Sequence, residues 1–391
     1  MPESETHRDP AGDASGPEAE PMTLEQLAEA KRYGRAQLRC DLADKALDLA
    51  YLAVAALLLA RPIDAWLSGM AWLDRFDTLR LAALYVVVFA LHAAVSFPLS
   101  LYSGHLLEHR YGMSTQSLRQ WLTRYAKRLG LGGAFALALF LGLFWVIWLS
   151  GPYWWLIATA AFFLVSMVMG QLFPVLILPL FYKVEKLDRP DLAERIGQLA
   201  QPAGLAIDGV YRLGLSAETV KANAMLAGLG RTRRVLLGDT LLDEFTVEET
   251  AVVFAHEIGH HAHRHLPKLM AAGLLASAAG FWLVDRALAW WVGGPLDYAN
   301  LSVAALPLIM FSLTLFGLLL EPLQNALNRH FERQADRYAL RATGRPDAFR
   351  TAFLKLARLN KDDPAPHWLE VVLFHSHPPI AQRLAVARQS P

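Results

Sequence analysis

The chain has 391 residues, 54% of them hydrophobic and only 19% charged, with a mean hydropathy of +0.27. That is too apolar for an ordinary soluble protein of this length. The net charge of +1 gives no whole-protein case for nucleic acid, and a lone cysteine, Cys40, excludes an intramolecular disulfide and any thiolate zinc cluster.

In chain order, the first 22 residues are rich in Glu, Asp, Pro, Gly and Ser. They predict a disordered acidic tail and not a signal peptide, because no apolar stretch follows a basic start. Residues 23–45 carry Lys31, Arg32, Arg35, Arg39 and Lys45 and predict an amphipathic juxtamembrane helix drawn to anionic lipid. Transmembrane helices are expected within 46–182 and 268–320. Leu81–Ser103, Leu129–Ser150, Gly151–Tyr182 and Leu301–Leu320 hold no Asp, Glu, Lys or Arg. Each supplies the roughly 20 residues needed to cross about 30 Å of hydrocarbon. Ala46–Ala60, with Asp48, and Leu269–Val292, with Asp285 and Arg286, bring the expected count to six spans.

A polar insert, 183–267, lies between the fourth and fifth spans. It predicts a helix near Asp191–Ala203, then three short strands at 209–215, 223–229 and 233–239, the last two joined by a turn at 229–232. A second polar segment, 321–391, reads as mostly helical. The two segments are expected to assemble into one catalytic domain on one membrane face.

Residues 256–260 read HEIGH. On a helix His256 and His260 share a face, so two imidazoles can bind one zinc ion, and Glu257 beside them can take a proton from the water that zinc activates. The stretch 246–255 before them is helix-compatible, with acids in its first turn. A catalytic zinc takes a third protein ligand. HAHRH follows at 261–265, but a metzincin-type pattern needs histidine at 266, where this chain has Leu266. On a continuous helix His261, His263 and His265 point away from the metal face and read as a solvated cluster. Downstream, Glu332 and Asp336 lie one turn apart. Glu332 could bind zinc while Asp336 orients a histidine ligand; equally, both could pair with Arg329, Arg333 and Arg337 on a surface helix. Glu321 is a competing ligand.

HEIGH, FERQADRYA (331–339) and SHPPIAQR (376–383) occur in the order seen in the integral-membrane CAAX prenyl protease, type I, and FPVLILPLF (173–181) and Asn223–Ala224 extend the match. The chain resembles a bacterial-type member of that zinc metalloprotease family over roughly residues 80–391. The resemblance implies a gluzincin with one Zn2+ per chain, held by His256, His260 and Glu332, with Glu257 as general base. It implies a proton-donating or supporting role for Asp336, places His377 and Arg383 near the scissile carbonyl, and puts Asn223 and Ala224 on an edge strand that holds substrate backbone. The eukaryotic members have seven spans, and Met225 stands where they favour an aromatic residue.

The fold class expected is therefore an α-helical polytopic membrane protein with about six spans and a mostly helical catalytic domain holding a small three-stranded sheet. The expected partners are the bilayer and peptide or protein substrates, membrane-associated or lipidated, with no nucleic acid. CAAX-type processing competes with general quality control of membrane proteins. A zinc transporter, the reading from another class, needs ligands within the spans, where only His92, Asp48 and Asp285 qualify. Lys and Arg cluster before the first span and between the second and third (Arg110, Arg119, Arg124, Lys127, Arg128), while the opposite loops hold only Arg61 and Arg75. This bias predicts an inner-membrane protein with its active site and both termini in the cytoplasm.

Overall fold

The computed structural model describes residues 21–228 and 233–388; the expected tail up to residue 20 and the expected turn at 229–232 lie outside them. Helix α1 (Leu24–Val54) starts at a reciprocal cap between Thr23 and Gln26. It carries the basic 23–45 stretch and the first apolar run as one helix, and after a five-residue π-helical turn continues as α2 (Ala60–Ser68). Helix α3 (Asp77–Leu101) returns, and α4 (Leu118–Ser150) and α5 (Trp154–Leu172) complete the first part of the bundle. Helix α8 (His265–Val292) and α9 (Leu306–Thr343) follow the polar insert.

Among the described residues, five helical stretches are long and apolar enough to cross a membrane: Leu24–Ser68, Asp77–Arg110, Leu118–Leu180, His265–Val292 and Val303–Thr343. The expected six separates 129–150 from 151–182. These form one stretch of 63 residues, about 95 Å of helix if straight and far more than a bilayer accepts. Gly151, at φ +57°, turns it back, and its two limbs α4 and α5 pack against each other.

The bundle is tightest at the end remote from the polar segments. There Tyr51, Leu81, Phe144, Trp154, Leu288 and Leu306 form one buried cluster. Trp66, Trp72, Tyr153 and Trp290 stay exposed around that end, as side chains with an apolar body and a polar tip do at a membrane interface. At the other end the chain builds a second core.

The sheet there has four strands, not three, in the order β1-β2-β4-β3. The additional strand is β1 (Val184–Lys186), antiparallel to β2 (Gly209–Leu213). β2 runs parallel to β4 (Arg234–Gly238), and β4 pairs antiparallel with the edge strand β3 (Ala224–Ala227), Met225 opposite Leu236. Three residues of mixed polarity carry no alternation that a sequence reading can detect, and β1 exists because β2 offers it an edge. Helix α6 (Pro190–Ala200), α7 (Val247–Ala262) and α10 (Pro346–Asn360) pack into one core with this sheet through Leu192, Val235, Phe254, Ile258, Phe349 and Phe353. Helix α11 (Trp368–Phe374) and α12 (Ile380–Arg388) end the chain. The 38-residue α9 serves both cores, with Ile309 in the first and Ala339 in the second.

A buried ion pair locks the start of α7. Thr246 Oγ1 accepts from the Glu249 N–H, and Glu249 Oε2 accepts from the Thr246 N–H at 2.8 Å and from Lys355 Nζ at 2.7 Å. Burial pushes the Glu249 carboxyl up, but the Lys355 ammonium and the Thr246 amide hold it below its usual value. The pair's contribution is thus complete above about pH 4.3, the ordinary Glu value, and is lost as pH falls through the lower folded value. Lys355→Met leaves a buried carboxylate unpaired and is expected to destabilise the protein by about 3 kcal/mol. Adding Glu249→Gln should recover part of that loss. Thermal denaturation of the two variants checks this; equal melting of Lys355→Met and the parent would disprove it.

Candidate metal centre

Helix α7 is apolar nearly all round: Ala251, Val252, Phe254, Ala255 and Ile258 are buried together with His256 and Gly259. It can lie so deep because α9 comes unusually close. A Cβ placed on Gly259 would stand 2.8 Å from Ala335 Cα and 3.1 Å from Tyr338 Cβ. Glycine at 259 and alanine at 335 let the two helices approach almost backbone to backbone, and that approach carries Glu332 onto the histidine face of α7.

His256, His260 and Glu332 converge, their ligand atoms all within 4.8 Å of one another. His256 Nε2 is 3.2 Å from Glu332 Oε2, His260 Nε2 is 3.2 Å from Glu332 Oε1, and the two imidazole Nε2 atoms are 3.1 Å apart. Glu332 is 6% exposed and its Oε2 has no hydrogen-bond partner. A buried carboxylate oxygen left without a donor, facing two imidazole nitrogens, is what a bound divalent cation satisfies. These donors therefore fit zinc. The alternative sequence reading, a surface helix of acids paired with arginines, does not hold: Arg329 instead donates to the carbonyls of Val371 and His375. Glu321 is not at the site, since it pairs with Lys45 on α1 at 2.7 Å.

Behind His256 lies a buried charge cluster. Asp336, 0% exposed, accepts at Oδ1 from His256 Nδ1 at 2.9 Å. Arg383 Nε and Nη2 donate to the two oxygens of Asp336 at 2.9 and 2.5 Å, and its guanidinium lies 4.0 Å over the Phe353 ring. Burial pulls the His256 imidazole down, but the neighbouring Asp336 and Glu332 carboxylates outweigh it and raise it to about 9. The carboxylates make this ring a stronger base and fix its orientation.

In front of the donors is a cleft of about 520 Å³ bordered by Glu257, Asn223, Ala224 and His377, with Asp41 of α1 on its far wall. Glu257 makes no hydrogen bond or ion pair among the described residues. His377 has Nε2 3.6 Å from Glu332 Oε1 and a side chain 63% exposed. Asn223 precedes the edge strand β3, and its carbonyl accepts from the Gly238 N–H at 2.9 Å.

The expectation for His265 is overturned. Helix α7 does not continue through 265: it ends at Ala262, and Arg264, at φ 53° and ψ 44°, turns the chain in the left-handed region. His265 thereby swings back, is 1% exposed, and places Nδ1 3.1 Å from His260 Nδ1. Nothing in the pattern HAHRH signals this turn, because arginine is not a residue that favours it.

Two ligand-bearing helices at one end of an apolar helical bundle, with an unpaired acid beside the first histidine, define an integral-membrane zinc metallopeptidase. Residues 186–390 match peptidase family M48, and residues 16–183 match the CAAX prenyl protease N-terminal family, described as five membrane helices. The chain belongs to peptidase family M48. It is similar to the uncharacterized metalloprotease YhfN of Bacillus subtilis (strain 168), 27% identical over 334 residues, covering 84% of this chain and 78% of YhfN. It is also similar to CAAX prenyl protease 1 of Saccharomyces cerevisiae, 29% identical over 318 residues, covering 75% of this chain and 69% of the yeast protein. The crystal structure of S. mikatae Ste24p shares the fold, with a TM-score of 0.81 at 23% identity over 94% of this chain and 89% of that one.

The close approach at residue 259 generates a test. Gly259→Ala should force α7 and α9 apart, at about 1–3 kcal/mol, and separate Glu332 from the histidines. Zinc retained after dialysis should fall well below that of the parent, together with the melting temperature. Parental zinc content in this variant would show that the helices can part without disturbing the donors.

Proposed function

We infer that the protein is an endopeptidase that cuts an extended peptide segment held close to the membrane surface, with its active site on the cytoplasmic side. The observation that carries this reading is the shared cleft, which brings His256 and Glu332 of the donor set, Glu257 and the start of an edge strand to one opening. A substrate strand laid along β3 would use backbone groups that β3 leaves unpaired on its outer side, with Asn223 and Ala224 at its start. Helix α1 spans the membrane and also borders the cleft through Asp41, so the scissile bond would lie near the point where a tethered substrate leaves the bilayer.

A bound zinc supplies Lewis acidity, activating water and polarising the scissile carbonyl. Glu257 accepts the proton of the attacking water and passes it toward the leaving amine. His377, at the cleft mouth, is placed to donate to the developing oxyanion. Asp336 and Arg383 are buried behind His256, so their role is positioning: Asp336 fixes the His256 ring, and Arg383 fixes Asp336 and neutralises it. One zinc per chain satisfies the single group of three donors found among the described residues. No second such group accompanies Asp48, His92 or Asp285. Asp48 pairs with His92 at 2.7 Å, and Asp285 accepts from Trp154 Nε1 and the Tyr298 hydroxyl. A zinc path through the spans therefore has no support.

Glu257→Gln is expected to lower peptide hydrolysis by about 10² to 10⁴ and to keep its zinc, measured by metal analysis of the same preparation. Near-parental turnover by the purified variant would remove Glu257 from the mechanism. Relatives named CAAX prenyl proteases suggest C-terminal processing of lipidated substrates. Matched peptides with and without an isoprenoid on cysteine decide this: lipid-dependent cleavage supports it, and equal cleavage favours general quality control of membrane proteins.

The basic flanks of the spans lie at the catalytic end, which supports the cytoplasmic orientation. In a Cys40→Ser background, cysteine at Asn300 should react with an impermeant maleimide outside intact cells, and cysteine at Glu194 should not. Both positions are exposed. Labelling of Glu194 alone would invert the orientation.

A further inference from the structure

The histidine cluster after HEIGH has a part in the metal site that the ligand set does not describe. Metal ligation through His260 Nε2 requires a lone pair on that nitrogen, so the ring proton must sit on Nδ1. A neutral imidazole with a free Nδ1–H in the interior turns toward whatever acceptor it finds, and for His256 that acceptor is the Asp336 carboxylate. His260 has no carboxylate on this side. Its Nδ1 faces His265 Nδ1 at 3.1 Å.

Two nitrogens facing each other share one proton, and the surroundings decide which ring donates. His265 Nε2 lies 2.9 Å from Gln334 Oε1, an acceptor, so His265 carries its proton on Nε2 and presents a lone pair at Nδ1. The amide of Gln334 is held in that sense because its nitrogen lies 3.0 Å from His330 Nε2, which accepts. The chain of donors then runs in one direction: Gln334 donates to His330, His265 donates to Gln334, and His260 donates to His265. It leaves the His260 Nε2 lone pair free for a metal ion shared with Glu332, whose Oε1 lies 3.2 Å away.

We propose that His265, set by Gln334 and His330, is a positioning residue that fixes the tautomer and ring plane of His260 for metal binding. The inference rests on the zinc site described above. Its geometric cause is the left-handed turn at Arg264, which breaks the α7–α8 junction and returns His265 to α7. The ring is then clamped, stacked on Phe331 with centroids 4.3 Å apart and planes 12° apart, and set edge-on to His260 at 79°. None of the three members of the relay beyond His260, namely His265, Gln334 and His330, is a carboxylate. The relay orients the second imidazole without adding a negative charge to a site that already holds Glu332 and Asp336.

A packing role and a positioning role make opposite demands at residue 265. His265→Phe keeps the stacking on Phe331 and removes the acceptor. His265→Asn gives up the ring and restores an oxygen near the Nδ1 position. The measurement is the zinc dissociation constant by chelator competition, with the melting temperature of the metal-free protein followed in parallel. The expected result is a zinc Kd about 10 to 100 times weaker for His265→Phe, at a metal-free melting temperature close to the parent's, with most of the affinity recovered by His265→Asn. Gln334→Leu should weaken zinc in the same direction, and adding it to His265→Phe should change little further, because both act through one relay. Parental zinc affinity in His265→Phe together with loss in His265→Asn would overturn the proposal in favour of packing. Should His265→Phe not fold, Gln334→Leu decides alone, and parental affinity there overturns the proposal. Failure of the parent protein itself to bind zinc would refute the metal site, and is separate from both outcomes.

Discussion

The contact on which the rest depends is the near-touching of two helix backbones where Gly259 meets Ala335. The chain supplies two metal donors from α7 and one from α9, and a carboxylate side chain is short. A helix pair at the usual 8–10 Å axial separation with large side chains between would leave the glutamate out of reach. Small residues at the crossing bring the axes in, and everything around the crossing is arranged to keep them there: the apolar flanks of α7, the Thr246–Glu249 cap locked by Lys355, and the continuation of α9 into the membrane.

Burying that crossing brings a cost in charge. Glu332, Asp336, His256 and Arg383 are all nearly removed from water, which is tolerable only when each has a partner. Asp336 takes the central part, bridging His256 on one side and the two guanidinium donors on the other. Arg383 arrives from the last helix described, so the C-terminal segment closes the cluster as well as bordering the cleft. The aromatic face of Phe353 shields its guanidinium and excludes water from the back of the site. Glu332 Oε2, which no hydrogen bond among the described residues satisfies, faces the metal position.

Much of this was legible in the residues, for reasons of scale. Apolar runs of twenty residues admit few interpretations, and histidines four apart with a glutamate between them place their own geometry because the helix period is fixed. What depended on tertiary contact was not legible. The third donor stayed open between a metal role and surface pairing until the crossing of α7 and α9 resolved it. Strand β1 is three residues that pair because β2 lies beside them. The fold-back at Gly151, by contrast, was legible, since the sequence reading already divides 129–150 from 151–182 there, although the two limbs are continuous enough to form one long helical stretch. His265 was misread because a continuous helix was assumed through Arg264, a residue with no chemical preference for the left-handed region it occupies. Gly259 offers no side chain for a sequence reading to weigh, yet that missing side chain is what admits Glu332.

The order of these segments along the chain also matters during synthesis. His256 and His260 emerge before the α8 span, and Glu332 only after α9 has come back. A nascent chain therefore carries an incomplete donor set until residues 268–320 have entered the bilayer as a hairpin and returned Glu332 to the side it started from. A copy whose hairpin fails to insert keeps its histidines and its glutamate on separate surfaces. The three-donor site is thus complete only in copies whose 268–320 hairpin has inserted, which ties the metal centre to the topology of the chain.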